Sequence, residues 1–447
     1  MRRNHPSRRQ CHNREKISLF AVTDADKTRA AAHADAPPAR DAPSTPAHVD
    51  GKVTIHNMHA FTPTVDGARA SYRGASVRAK TQTQRSMKRA AICVSAAQDP
   101  ILLRAARGED VERPPVWLMR QAGRYMAEFR AYSNKFPFRH RSENSEIAIE
   151  LSLQPWRAFK PDGVIMFSDI LTPLPALGVE FDVVKGKGPV ISTPVRTMAD
   201  VKALKTMDDP DAQLPFIREI LSSLRQEVDG QSTLLGFVGT PWTLAAYSME
   251  GSSDKHLMTT KQIMTQDPAT LHAYLSHLAD ALGVYVCHQI DCGAQVVQLF
   301  DSWAHHLSPQ QFMEFSHPYN ERIIAYVKAR HPNTPLIFHA NGGCGKLHEL
   351  KLSTADVIGL DWNTNMAEAR AIMPDRVLQG NMDPMYLFAG KDRIEKEVAN
   401  NVRDAGKGKH ILNVGHGVAQ GTPEEAVGHF CDAARASLYA KEPSAAR

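Results

Sequence analysis

Two arginines set four residues apart, Arg120 and Arg124, close the apolar run in RPPVWLMRQAGRYMAEFR (113–130). Ahead of them stand Val116, Trp117, Leu118 and Met119, and Gly123 lies between them. Guanidiniums this close repel unless an anion sits between them or water screens them. Two arrangements satisfy the pair. One is salt bridging to nearby carboxylates such as Glu128 or Asp169. The other is a clamp, in which both bind a ligand carboxylate or phosphate through parallel N–H···O bonds. Gly123 would let the backbone approach that ligand closely or take positive φ.

Other chemistry-bearing residues also follow short apolar runs. Asp169 ends VIMFSD, Asp301 and Ser302 follow VVQLF, His339 and Asn341 belong to LIFHAN, and His416 stands between two glycines after HILNV. Asp169 alone suits a helix cap, His416 a turn, and Asp361 and Asp383 suit loop ties. His305-His306 and His317 lack a carboxylate at ligand spacing, and Cys287 and Cys292 lack a matching second pair, so no metal site is expected. No serine sits in a nucleophile elbow and no lysine ends a run in Schiff-base position. No G-x-G-x-x-G or phosphate-loop pattern follows a run, and VKGKGPV (184–190) reads as a loop. Arginines, one aspartate, a tyrosine and a histidine, with no cofactor cradle, fit an enzyme acting on a polyanionic small molecule that supplies its own electron sink.

The elements that must position these groups follow from the pattern. Eight apolar runs of strand length begin at Val116, Val164, Leu234, Val296, Leu336, Val357, Val377 and His410. Runs apolar at nearly every position suit strands buried on both faces, as parallel strands are. Helical segments alternate with them: one opening at Ser142, one after Asp267-Pro268, one capped by Ser308 with Pro309 at its first position, one repeating that with Thr422 and Pro423. Eight such strands alternating with helices predict an α/β fold, a (β/α)8 TIM barrel, with a doubly wound sheet as the alternative. Function then belongs at the carboxyl ends of the strands.

The chain has 447 residues, 43% hydrophobic and 23% charged, the composition of a globular protein. Its +5 formal charge is unevenly spread. Residues 1–95 hold 17 Lys/Arg and 7 Asp/Glu, a balance of +10, and the remainder 36 and 41, a balance of −5. A basic nucleic-acid-binding body is therefore not expected. Residues 1–95, basic and rich in Ala, Ser and Pro without apolar periodicity, read as a disordered, transit-peptide-like leader, and 96–447 as one catalytic domain. No run approaches the roughly 18–20 apolar residues of a membrane span. Six scattered cysteines give no disulfide framework.

Longer motifs carry a resemblance. RPPVWLMRQAGRYM (113–126), FSDILTPLPALG (167–178), GFVGTPWTLAAYSMEG (236–251), FDSWAHHLSP (300–309), GLDWNTNMAEAR (359–370), QGNMDP (379–384) and HILNVGHGVAQGTPEEAV (410–427) resemble uroporphyrinogen decarboxylases, in register from about 99 to 440. RYMAEFR is similar to the plastid type of plants and algae, which implies a chloroplast address. The resemblance implies a distorted (β/α)8 barrel, a homodimer, and cofactor-free loss of CO2 from the four acetates of uroporphyrinogen III to give coproporphyrinogen III. It also assigns roles. Arg120 and Arg124 grip substrate carboxylates, Arg120 also being a candidate proton donor, and Gln121, Ala122 and Gly123 line the same pocket. Asp169 faces the pyrrole N–H groups; Tyr247, Ser302 and His416 complete the polar contacts; Phe138 is a wall. His305-His306 and Cys344 depart from the family pattern. Rival expectations are a zinc- or corrinoid-dependent methyl-transfer barrel and a tetrapyrrole carrier without catalysis.

Overall fold

A computed structural model describes residues 98–439 apart from 185; the leader expected over 1–95 lies outside the described residues. Nine strands are formed. β1 (Gly163–Ile165), β4 (Thr233–Gly239), β5 (Val296–Asp301), β6 (Leu336–Ala340), β7 (Val357–Gly359), β8 (Val377–Gln379) and β9 (His410–Ile411) make one seven-stranded parallel sheet in that order. β2 (Phe181–Val184) and β3 (Gly188–Ile191) make a separate antiparallel hairpin. The segment expected as a lysine-glycine loop is therefore this hairpin, its turn carried by Gly186 and Gly188 at positive φ.

Seven of the eight expected strands form ladders; the run at 116–121 does not. Val116 makes a single parallel bridge to Leu412. Trp117 N donates to Leu412 O at 3.3 Å and Leu412 N to Pro115 O at 2.8 Å. On its other side Asp162 N donates to Val116 O, and Asp162 Oδ2 accepts from Val116 N, both at 2.7 Å. Pro114 and Pro115 bring no N–H, Met119 N is taken by Asn413 Oδ1 at 3.0 Å, and Arg120 turns the chain at φ +59°. Too few backbone groups remain for a ladder. Arg113 clamps the same corner, forking onto Asp162 at 2.7 and 2.8 Å.

Alternation explains the continuously apolar runs. Ile165, Leu235, Phe237, Val296, Ile337, Val357, Val377 and Ile411 pack together with Trp117 and Met119 on one face of the sheet. Val164, Leu234, Val238, Val297, Leu299, Phe338, Ile358 and Leu378 pack under helices on the other. Short helix α1 (Ile101–Ala106) adds Leu102, Leu103, Ala105 and Ala106 to the inner cluster, and Leu103 N bonds Thr233 Oγ1 at 3.0 Å where β4 begins. Buried among the inner side chains, Trp117 Nε1 donates to Gln379 Oε1 and Gln379 Nε2 to Gln298 Oε1, each at 2.9 Å. That satisfies polar groups a closed core cannot leave unpaired.

Helix ends moved where capping chemistry differed from expectation. α2 (Ala127–Ser133) and α3 (Phe138–Glu143) precede α4 (Ser145–Phe159), whose N-cap is Asn144, accepting from Ile147 N, rather than Ser142. The segment after Ser308 forms two helices, Pro309–Phe315 and His317–Lys328. The last one starts at Glu424, with Pro423 at the cap position and no side-chain cap bond. Among the described residues no helix is long and apolar enough to cross a membrane.

Candidate active site

Arg120 leaves the run at positive φ, a costly conformation for a branchless but bulky side chain. Val418 N donates to Met119 O at 2.9 Å, tying the loop after β9 to this turn. The Arg120 stem then lies across Gly417, where a Cβ would fall 2.2 Å from Arg120 Cδ. Gln121 is buried: its side-chain amide donates to Gly163 O at 3.1 Å, and its backbone carbonyl accepts the Tyr125 hydroxyl at 2.7 Å. Ala122 and Gly123 are half-buried and Arg124 is exposed. The salt bridges offered as one explanation of the arginine pair do not form: among the described residues neither guanidinium is in an ion pair.

Asp169 lies four residues beyond β1. Its Oδ1 accepts from Leu171 N at 2.9 Å, and its backbone N–H donates to Thr172 Oγ1 at 3.2 Å, so a local turn fixes the carboxylate. Oδ2 accepts no hydrogen bond among the described residues. Burial pushes the Asp169 carboxyl above its ordinary range, while the Leu171 N–H and the Arg120 charge pull it down. Tyr247, on the helix Pro241–Glu250, sets its ring edge-on to Trp303 at 5.4 Å. Its hydroxyl is pushed up by burial and by the Asp169 charge. His416 is pushed down by burial and by Arg120. Behind it on β6, buried His339 is pushed down to about 3 by burial and by His416. Arg120, Asp169, Tyr247 and His416 thus share one electrostatic neighbourhood at the carboxyl ends of the strands.

Ser302 is half-buried one residue past β5, and its carbonyl accepts from Asn341 Nδ2 at 3.2 Å. Phe138 opens α3, its ring 5.5 Å from that of Phe167, two residues before Asp169. Other strand-end acids are structural ties. Asp301 accepts from Thr240 and Thr243 hydroxyls, each at 2.9 Å, and from Ser316 at 2.5 Å. Asp361 accepts from Gly342 N and the Thr364 hydroxyl, and Asp383 caps a short turn at Met385 N. His305 stacks on Trp303 at 5.5 Å. Sequence reasoning passed over Arg141, which reads as one more surface cation in FRHRSE yet is buried in α3. One group of potential metal ligands exists among the described residues: Asp211, His288 and Cys292 bring donor atoms within 4.8 Å. It sits where the helix Pro268–Asp291 ends, before β5 begins, and Arg218 already forks onto Asp211 at 2.6 and 2.8 Å.

Comparison with known proteins follows the same residues. A family model described as uroporphyrinogen decarboxylase (URO-D) matches residues 97–437. A uroporphyrinogen decarboxylase of Crocosphaera subtropica is 56% identical over 338 residues, covering 75% of this chain and 95% of the relative. A chloroplastic uroporphyrinogen decarboxylase of Nicotiana tabacum is 50% identical over 345 residues, 77% of this chain and 88% of the relative. Among solved structures, a methyltransferase from Methanosarcina mazei superposes with a TM-score of 0.64 at 19% identity, covering 75% of this chain and 97% of that one, a likeness of fold.

Proposed function

Starting from the fact that this chain belongs to the uroporphyrinogen decarboxylase family, we propose how its residues carry out that family's reaction. The protein is a carboxy-lyase that removes CO2 from the four acetate arms of uroporphyrinogen III, giving coproporphyrinogen III. The observation that supports the residue assignment is the Asp169 carboxylate beyond β1, held at Oδ1 by Leu171 N with Oδ2 without a partner among the described residues, together with the Arg120 stem turned across Gly417.

Losing CO2 from an acetate requires a place for the electron pair. Protonating the electron-rich pyrrole at the ring carbon next to the one that bears the acetate puts cation character on the acetate-bearing carbon and makes the ring itself the sink. Positive charge then spreads toward the ring N–H, where ionised Asp169 stabilises it, accepting N–H bonds on Oδ2 while Leu171 N holds Oδ1. CO2 leaves as its bonding pair forms an exocyclic C=C with the ring, protonation of that exocyclic carbon makes the methyl, and loss of the proton first added to the ring restores the pyrrole. Arg120 and Arg124 bind carboxylate arms, and Arg120 is the candidate donor of the ring proton. Tyr247, Ser302 and His416 hold further polar edges, Phe138 forms a wall, and the backbone of 121–123 floors the pocket.

The run at 115–119 is bonded to β9 on one side and to the start of β1 on the other; we read it as the eighth stave of a closed (β/α)8 barrel, the catalytic domain spanning 96–447. Plastid location is supported by the chloroplastic tobacco relative and by the basic, Ser/Ala-rich composition of 1–95. A homodimer is the assembly the family resemblance implies.

Anaerobic incubation with uroporphyrinogen III, followed by separation of products by carboxylate number, tests the reading. Hepta- through tetracarboxylate products are expected; their absence would overturn it.

A further inference from the structure

Arg141 is a buried cation that forms no ion pair among the described residues. The residue is 8% exposed on α3, and its guanidinium carbon lies 5.5, 5.4 and 5.7 Å from the ring centroids of Phe129, Phe138 and Phe167. Nε donates to Phe136 O at 3.1 Å. The two terminal nitrogens have no acceptor among the described residues, yet neither is sealed from the surface. The charge it feels most is Arg124, of like sign; with burial this pulls the Arg141 pKa below its ordinary value.

Burying an unpaired guanidinium is costly, and aromatic faces recover only part of that. An arginine with a purely structural task in this chain looks different: Arg113 is forked onto Asp162. The phenylalanine cage also borders the site, since Phe167 precedes Asp169 by two residues and Phe138 is the expected wall.

We propose that Arg141 is a third substrate-binding guanidinium, holding one peripheral carboxylate of the tetrapyrrole jointly with Arg124. The inference rests on the decarboxylase reading above. The three rings and the Phe136 carbonyl hold the guanidinium while its two terminal nitrogens keep their N–H groups unused, so an arriving carboxylate would meet a preset fork. The anion removes the repulsion between Arg124 and Arg141 at the same time, which makes each arginine depend on the other for binding. Arg141 holds substrate and moves no proton.

The test uses the full chain with Arg141→Met, which keeps an apolar stem among the rings, and Arg141→Lys, which keeps the charge without the fork. Thermal unfolding checks folding, anaerobic kinetics with uroporphyrinogen III give kcat and KM, and oxidised uroporphyrin III and coproporphyrin III serve as non-reacting competitors. Arg141→Met is expected to raise KM about tenfold or more, with kcat within about threefold. Arg141→Lys recovers part of the loss. Weakening of both competitors assigns the site to a propionate; weakening of uroporphyrin alone assigns it to an acetate. An unchanged KM in Arg141→Met, whatever happens to kcat, overturns the proposal. Should that variant fail to fold, Arg141→Lys decides: a KM rise of about threefold or more supports the fork, and a wild-type KM overturns it. Wild-type protein inactive on uroporphyrinogen would sink the decarboxylase reading separately, and competitor binding would still report on Arg141.

Discussion

Gly417→Ala perturbs the site through one methyl group. An ideal Cβ at Gly417 lies 2.2 Å from Arg120 Cδ, 2.7 Å from Cγ and 2.8 Å from Nε. Ordinary contact begins at 3.4 Å, so the arginine stem must retreat by about 1.2 Å, the difference between 3.4 and 2.2 Å. Gly417 is outside the left-handed region, so alanine meets no backbone penalty there. The obstacle is the movable part of a side chain, and stability should change by no more than about 0.5 kcal/mol. Displacing a positioning group by about 1 Å costs on the order of 100-fold in rate, which corresponds to about 2.7 kcal/mol of transition-state stabilisation. Anaerobic kinetics with uroporphyrinogen III, beside urea unfolding of the same preparation, measure both quantities. A folded alanine variant with wild-type kcat/KM would show that the Arg120 position is immaterial and refute its assignment. A variant that loses stability and activity together would refute the view that only the arginine yields.

Asp162→Asn breaks the fork to Arg113 and weakens the tie to Val116 N; losing one partner of a buried pair should cost about 3–5 kcal/mol, read from the urea midpoint. A loss below about 1 kcal/mol would show that the corner is held by other contacts. Asp169→Asn should bind uroporphyrin III comparably but lose about 100-fold or more in kcat, and undiminished turnover would sink the cation-stabilising role. The pH profile has a definite sign. Ionised Asp169 is the active form and burial raises its pKa, so kcat should fall as pH drops through a value above the ordinary carboxylate range. Arg120→Gln removes a charge that lowers that pKa, so the carbon-13 titration of the Asp169 carboxyl should move to higher pH; no movement or a downward one would refute the contact.

Seven strands were legible because both of their faces are buried, which makes period and run length unambiguous. The eighth forms only a single bridge because side chains compete for its backbone: Asp162 and Asn413 take the Val116 and Met119 N–H groups that a neighbouring strand would bond. Spacing alone found Arg120 and Arg124 but left their purpose open, since the lack of an ion pair to either guanidinium among the described residues is a fact of three dimensions. Asp301 and Asp169 look alike in sequence, each an acid at a run's end. Three hydroxyls from distant segments make the first a structural tie, and only the fold brings them there. Arg141 was invisible for the opposite reason. Its neighbours in FRHRSE are polar, and its burial comes from phenylalanines at 129 and 167 as well as 138.

Helix α1 seats Leu102, Leu103, Ala105 and Ala106 against the inner side chains at the end of the sheet remote from the arginines. With Trp117, Met119, Phe237 and Ile337 packed into the same cluster, the inner face is filled by side chains, which leaves the carboxyl ends of the strands as the door to Asp169. Uroporphyrinogen enters, and every partly decarboxylated intermediate must either turn over inside or leave by the route that fresh substrate uses to arrive. Traffic through that door becomes a control on product composition: scarce substrate lets each molecule return until four carboxylates remain, whereas a flood of uroporphyrinogen displaces intermediates before they finish. Side chains packed far from the chemistry thereby couple the supply of substrate to how completely it is processed.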